Sequence, residues 1–199
     1  RTYDPDQGRI LVDDVDIRTL SLDDLRRTVS HVPQETFLFS ESVRDNVLFG
    51  MPDDGRLERA SEAAQLTEAL PSLPNGYDTL LGERGVNLSG GQKQRTAIAR
   101  ALAKDAPIFL LDDALSAVDA STEARILTAL RSALIGKTTV IVSHRLAAIR
   151  DATRIIVLDR GRIVETGRHV ELMRQEGRYW ELVRRQELEG ELEEVKSDK

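Results

Sequence analysis

The apolar residues of this chain fall into short unbroken runs separated by longer stretches of mixed spacing. Ile108-Phe109-Leu110-Leu111 is bounded by Pro107 on one side and Asp112-Asp113 on the other. A run of this length without polar alternation predicts a strand buried on both faces, as in a parallel sheet. Thr138 to Val142 and Ile155 to Leu158 read as two further buried strands. Thr28 to Val32 reads as a strand that Pro33 stops, and Arg9 to Val12 as a short one between the turns Asp4–Gly8 and Asp13-Asp14. Arg160-Gly161 turns the chain into Arg162 to Glu165.

Helical spacing fills the intervals. Ser21 is a good helix cap with Asp23 and Asp24 in the first turn. Glu41 to Leu48 predicts a short helix, and alanine-rich Leu57 to Leu70 a longer one broken by Pro71, Pro74, Asn75 and Gly76. Ser89 leads a helix to about Ala103. Asp119 caps another, whose Leu127, Leu130 and Leu134 share a face. The chain is helical from Arg178 and strongly acidic after Glu187. Strands alternating with helices predict an α/β layered core with a mostly parallel sheet. The helical stretch from Glu41 to Glu83 interrupts that alternation and reads as an inserted α-helical subdomain.

Composition narrows the class. A hydrophobic content of 40% over 199 residues supports a packed core and excludes a disordered chain. A net charge of −6 does not favour non-specific nucleic-acid binding. The chain has no cysteine, which excludes disulfides and zinc–thiolate sites. No apolar run approaches the roughly 18 residues of a membrane span. The opening Arg1-Thr2-Tyr3-Asp4-Pro5 reads as the end of a helix entering a turn, so the chain is expected to continue upstream.

Two places carry chemistry. In Leu88-Ser89-Gly90-Gly91-Gln92 a hydroxyl and two glycines stand at a helix start, where free amides and the helix dipole favour a phosphate and the missing Cβ atoms admit a ligand to the backbone. Asp112 ends a buried strand, where ligands bind in open α/β sheets, and suits Mg²⁺, which takes few protein carboxylates. Asp113 beside it is placed to orient or deprotonate an attacking water. Together they predict nucleotide hydrolysis. His144 and Gln34 also follow strand ends; an imidazole there can meet a phosphate or the water, and an amide oxygen can meet the metal or the water. His31 and His169 read as ordinary strand and turn residues, and Tyr179 and Trp180 as packing for the last helix. No G-x-x-x-x-G-K-[ST] phosphate loop occurs among the 199 residues. Gly136-Lys137-Thr138 imitates its tail but leads into a strand, where a phosphate loop would open a helix.

These motifs, in this order, resemble the nucleotide-binding domain of ATP-binding cassette (ABC) transporters of the exporter type. Leu88 to Gln92 is similar to the signature, Ile108 to Asp112 to the Walker B strand, and Gln34 to the Q-loop glutamine. Ser116-Ala117-Val118-Asp119 is similar to the D-loop and His144 to the switch histidine. Gly82-Glu83-Arg84-Gly85 resembles the exporter X-loop, and Phe37-Leu38-Phe39 and Asn46-Val47 also match exporters. The resemblance runs from Arg1 to about Arg185. It implies a P-loop NTPase-like core with the amino-terminal part incomplete, because the Walker A loop and the adenine-stacking aromatic would lie before Arg1. It divides the chain into core (1–35), helical subdomain with the signature (36–103), core with Walker B, D-loop and switch histidine (104–185) and acidic tail (186–199).

The resemblance further implies ATP and Mg²⁺ as ligands. Asp112 and Gln34 would serve the metal, and Asp113, His144 and Gln34 catalysis. Leu88, Ser89, Gly90, Gly91, Gln92 and Asp119 would bind nucleotide across a pair of such domains. The partners implied are a second nucleotide-binding domain and a membrane domain fused upstream, at the cytoplasmic face of the plasma membrane. One departure stands out: Asp113 replaces the family's catalytic glutamate, withdrawing the carboxylate by about 1.5 Å. A slow site in an asymmetric pair is therefore expected. A nucleotide-gated module without turnover and a DNA-repair ATPase of the same superfamily are the alternatives. The compact insert between Gln34 and Leu88, without heptads, and the acidic balance argue against the latter.

Overall fold

The computed structural model describes residues 1–85 and 87–197. The chain divides into two compact units, Arg1–Val142 and Ser143 to the carboxyl terminus.

In the first unit, β1 (Leu11–Val12) and β2 (Val15–Asp16) form an antiparallel hairpin. Asp13 and Asp14 both take left-handed backbone, with φ of 48° and 65°. That is the turn a tight hairpin demands, and aspartate tolerates it. The sequence reading foresaw the turn and β1 but not its partner strand.

Helix α1 (Leu22–Thr28) is capped by Ser21, whose hydroxyl accepts from Asp24 N–H at 3.1 Å. It runs directly into β3 (Val29–Val32). After an extended segment come α2 (Val43–Leu48) and α3 (Arg56–Ala63). The helix expected to reach Leu70 stops at Ala63 instead. Gln65 turns left-handed (φ 54°), and the amides of Gln65 and Leu66 fold back onto the carbonyls of Glu62 and Ser61. This ending is one that glycine usually signals, and here glutamine adopts it without any composition cue.

Helix α4 (Gly90–Lys104) packs against α2, α3 and β3. It is followed by β4 (Ile108–Asp112), α5 (Ala120–Ala133) and β5 (Thr138–Val142). Strands β3, β4 and β5 form one parallel sheet in that spatial order. The register pairs Val32 with Leu111, Leu111 with Ile141, and Asp112 with Val142, so the three strands end level. Phe109 and Leu111 are buried on one face of β4, while Ile108 and Leu110 on the other are half-buried. The core gathers Val32, Leu38, Val47, Leu57, Ile98, Phe109 and Ile126.

A further expectation is overturned. Strand β5 is exposed: Val140 keeps 48% and Val142 57% of its surface. Apolarity qualifies a strand for burial, but a covering layer decides it, and among the described residues β5 pairs with β4 alone. Gly136-Lys137 is the plain turn that was expected, with Gly136 at φ 78° and Lys137 in an ion pair with Asp105.

The second unit contains α6 (Leu146–Ile149), the antiparallel pair β6 (Ile155–Asp159) and β7 (Arg162–Gly167), α7 (His169–Gln175) and α8 (Arg178–Ser197). Ile155, Val157, Leu172, Tyr179 and Val183 form its core. Strand β6 buries only one face: Ile156 and Leu158 stay exposed, against the expectation of a strand buried on both sides. Tyr179 packs inside as expected, and Trp180 lies under Arg184 at 5.6 Å. Of the acidic tail, residues 198 and 199 lie outside the described residues.

Candidate functional site

The carboxyl ends of β3 and β4 bring three of the candidate residues to one edge of the sheet. Gln34 follows Val32-Pro33 and is exposed, while Asp112 closes β4 and is half-buried. Asp113 extends the ladder by one bond, its N–H donating to the Val142 carbonyl at 2.8 Å. Its backbone then turns left-handed (φ 45°), which ends the strand abruptly. The Asp113 carbonyl accepts from the Ser116 hydroxyl at 3.0 Å and opens the tight turn that leads through Ser116 and Ala117 to Asp119.

This donor set suits a hard cation shared with phosphate. Among the described residues no three histidines, cysteines or acids converge on a metal-sized space. Mg²⁺ does not need such a cage, since it binds through one or two carboxylates together with substrate phosphates and water. Asp112 could offer the carboxylate and Gln34 an amide oxygen.

The second candidate group opens α4. Ser89 and Gln92 form a reciprocal capping box: the Ser89 hydroxyl accepts from Gln92 N–H at 3.2 Å, and Gln92 Oε1 accepts from Ser89 N–H at 2.8 Å. Gln92 Nε2 also donates to Ser72 Oγ at 3.0 Å, which holds the side chain across the helix end. Leu88 is buried and anchors the approach, while Ser89 and Gly90 face solvent.

The glycine pair has a neighbour that the sequence did not disclose. A Cβ on Gly90 would lie 3.3 Å from Ala117 Cβ, and one on Gly91 3.1 Å from the Ala117 carbonyl oxygen. The bare backbone of α4 is thus what lets the turn after β4 approach it closely. Gln94, one turn further on, completes that contact. Its Oε1 accepts from Ala117 N–H at 2.9 Å and its Nε2 donates to Ser116 Oγ at 3.1 Å. Sequence reasoning missed Gln94. The available signal was a neutral polar residue on the same helix face as Ala97, Ile98 and Ala101, all buried.

Asp119 ends the turn and caps α5. Its Oδ1 accepts from Thr122 N–H at 2.9 Å and from the Ser121 hydroxyl at 2.7 Å. These bonds, the Thr122 amide first, hold its carboxyl well below the usual carboxylate range. His144 is exposed and opens the second unit, two residues after β5.

A model of the family described as "ABC transporter" matches residues 1–116. The chain is 50% identical over 192 residues to ABC transporter B family member 19 of Arabidopsis thaliana, covering 96% of this chain and 15% of that protein. It is 48% identical over 187 residues to an ATP-dependent lipid A-core flippase of Alkalilimnicola ehrlichii, covering 92% of this chain and 32% of that one. The chain therefore spans about a third or less of the curated relatives it matches. Its fold matches the structure of a bacterial Atm1-family ABC exporter with ATP bound at a TM-score of 0.90 and 43% identity, over 94% of this chain and 33% of that one. Motif order, sheet architecture and these matches agree: the chain belongs to the ABC transporter family, as a nucleotide-binding domain of the exporter type.

Proposed function

We propose that this chain binds and hydrolyses ATP with Mg²⁺ and couples that reaction to export of a solute through a membrane domain, at the cytoplasmic face of the plasma membrane. The observation that carries the reading is the level ending of β3 and β4, which sets Gln34 and the Asp112-Asp113 pair at one sheet edge. The names of the relatives, a flippase and an exporter with ATP bound among them, support it.

In this reading Asp112 and Gln34 hold the metal, which when bound offsets the charge developing on the phosphates. Asp113 orients the attacking water, and His144 meets the terminal phosphate or that water. Leu88 to Gln92, at the positive end of α4, together with Asp119, complete the nucleotide site of a second nucleotide-binding domain docked face to face. The pair is asymmetric. Asp113 reaches less far than glutamate, and a misplacement of about 1 Å costs on the order of a hundredfold in rate. This domain's own site is therefore slow, while its capped α4 serves a faster site on the partner.

The test is ATP turnover by the full-length transporter. Asp113→Glu is expected to raise turnover several-fold, and Ser89→Arg, which fills the α4 end, to abolish most of it. Unchanged turnover in both variants would overturn the assignment. A nucleotide-gated module, the second reading that Asp113 keeps open, would show ATP binding with no single-turnover product from either the native protein or Asp113→Glu.

A further inference from the structure

We propose that Gln94 is a positioning residue that locks the start of α4 to Asp113, so that the two ends of the domain that serve different nucleotides move as one piece. The proposal rests on the functional reading above and adds the connection within it.

Gln94 keeps only 5% of its surface, among alanine and isoleucine neighbours, and both ends of its amide are used. Its Nε2 donates to Ser116 Oγ at 3.1 Å, and the Ser116 hydroxyl donates onward to the Asp113 carbonyl at 3.0 Å. Asp113 N–H in turn donates to Val142 at the end of β5. On the other side, Gln94 Oε1 takes the Ala117 N–H, and the bare backbones of Gly90 and Gly91 leave Ala117 the space that a Cβ would take. A continuous line of bonds runs from α4 to the tip of β4.

The direction of this line requires an amide. A hydroxyl has one proton. Ser116 can send it to Asp113 only because Gln94 approaches as a donor. A carboxylate at position 94 still accepts from Ala117 N–H, but its second oxygen must draw the Ser116 proton to itself, and the bond to Asp113 is lost. Gln94→Glu therefore keeps the shape, breaks one link and places a carboxylate in a buried setting. A chain of packed and bonded groups of this kind is the physical means by which two sites bias each other.

The experiment compares the full-length transporter with Gln94→Glu, Ser116→Ala and the double variant, reading kcat, KM for ATP, the Hill coefficient for ATP and the melting temperature. Expected is a fall in kcat of about tenfold or more in each single variant, with KM within about twofold, the Hill coefficient moving toward one, and the melting temperature held in Ser116→Ala. The double variant should be no worse than either single one, because both break the same line. Wild-type kinetics in a folded Gln94→Glu protein, additive losses in the double variant, or a loss in Ser116→Ala that follows the melting temperature would each overturn the proposal while leaving the functional reading intact. Absence of hydrolysis by the unsubstituted transporter would overturn both. Ser116 is exposed, so Ser116→Ala reports even where a change at buried Gln94 unfolds the domain.

Discussion

Arg100 and Asn46 are joined twice: Nε of Arg100 donates to the Asn46 backbone carbonyl at 2.7 Å and Nη2 to its side-chain oxygen at 2.8 Å. Nη1 reaches the Phe37 carbonyl at 2.9 Å, and the guanidinium lies over the rings of Phe39 and Phe49 at 5.5 and 5.6 Å. Asn46, itself buried, holds the Phe39 N–H and carbonyl. One side chain on α4 thus pins the segment after Gln34 and the start of α2.

Burial pushes the Arg100 guanidinium down to about 10, so it is still cationic at neutral pH. Arg100→Met removes the donor of the Asn46 and Phe37 carbonyls, while Asn46 Oδ1 keeps the Phe39 N–H, and is expected to destabilise the domain by about 1–3 kcal/mol, the cost of one buried group left unpaired. Arg100→Lys should recover little, because an ammonium cannot span three oxygens held by a planar fork. Urea midpoints for the three proteins check this. A midpoint for Arg100→Lys equal to the native one would show that the charge alone matters.

Gly91→Ala separates stability from activity. Alanine is favoured over glycine in a helix interior by roughly 0.8–1.0 kcal/mol, and by less in the first turn. Against that gain stands a Cβ 3.1 Å from a backbone oxygen of Ala117, which must give way. The two effects nearly offset, so the melting temperature should move little. ATP turnover should fall at least about tenfold because the α4 start is displaced from the turn after β4. Native turnover in a well-folded Gly91→Ala protein would refute the role given to this contact.

Acid stability depends on several exposed carboxylates. The Thr122 amide keeps Asp119 low, while hydrogen bonds from Arg56 and Arg18 bring Asp54 and Asp16 to about 2. Each folded value lies below the unfolded one of roughly 3.9. Their contribution is therefore complete above that pH and lost as pH falls through the folded values. Asp119→Asn keeps a capping oxygen but cannot titrate. The variant should melt like the native protein at pH 7 and show a shallower loss of stability between about pH 4 and 2. Parallel melting curves across that range would contradict the assignment.

Helix α8 is capped from outside its own segment. Glu165 on β7 accepts from the amides of Arg178 and, at 3.0 Å, Tyr179. A Cβ at Gly177 would overlap the same carboxylate. Glu165→Ala should cost about 1 kcal/mol, as for other lost caps. Amide exchange at the first turn of α8 should accelerate, and unchanged protection there would rule the cap out.

Much of this domain was legible before its structure. Ser21, Ser89 and Asp119 each cap a helix as read, because the bond that makes a cap spans only three residues and both partners stand in one short stretch of sequence. Strand β4 was legible from its unbroken apolar run, β5 from its Val140–Val142 core and β3 from the stop at Pro33, and the family from the order of its motifs. Gln34, Asp112 and Asp113 could be assigned to strand ends for the same reason.

What the sequence could not disclose depends on residues far apart in the chain. The exposure of β5 is decided by what covers it. The end of α3 at Gln65 lacks the glycine that would have announced it. Gln94 and Ala117 are separated by the whole of β4 and meet only once the sheet has folded, as do Arg100 and Asn46. Side-chain amides and guanidinium groups carry no local pattern, and their partners are chosen by packing. Local hydrogen bonding and apolar periodicity therefore wrote the elements into the sequence, while the tertiary structure alone decided how the signature helix is tied to the strand tips.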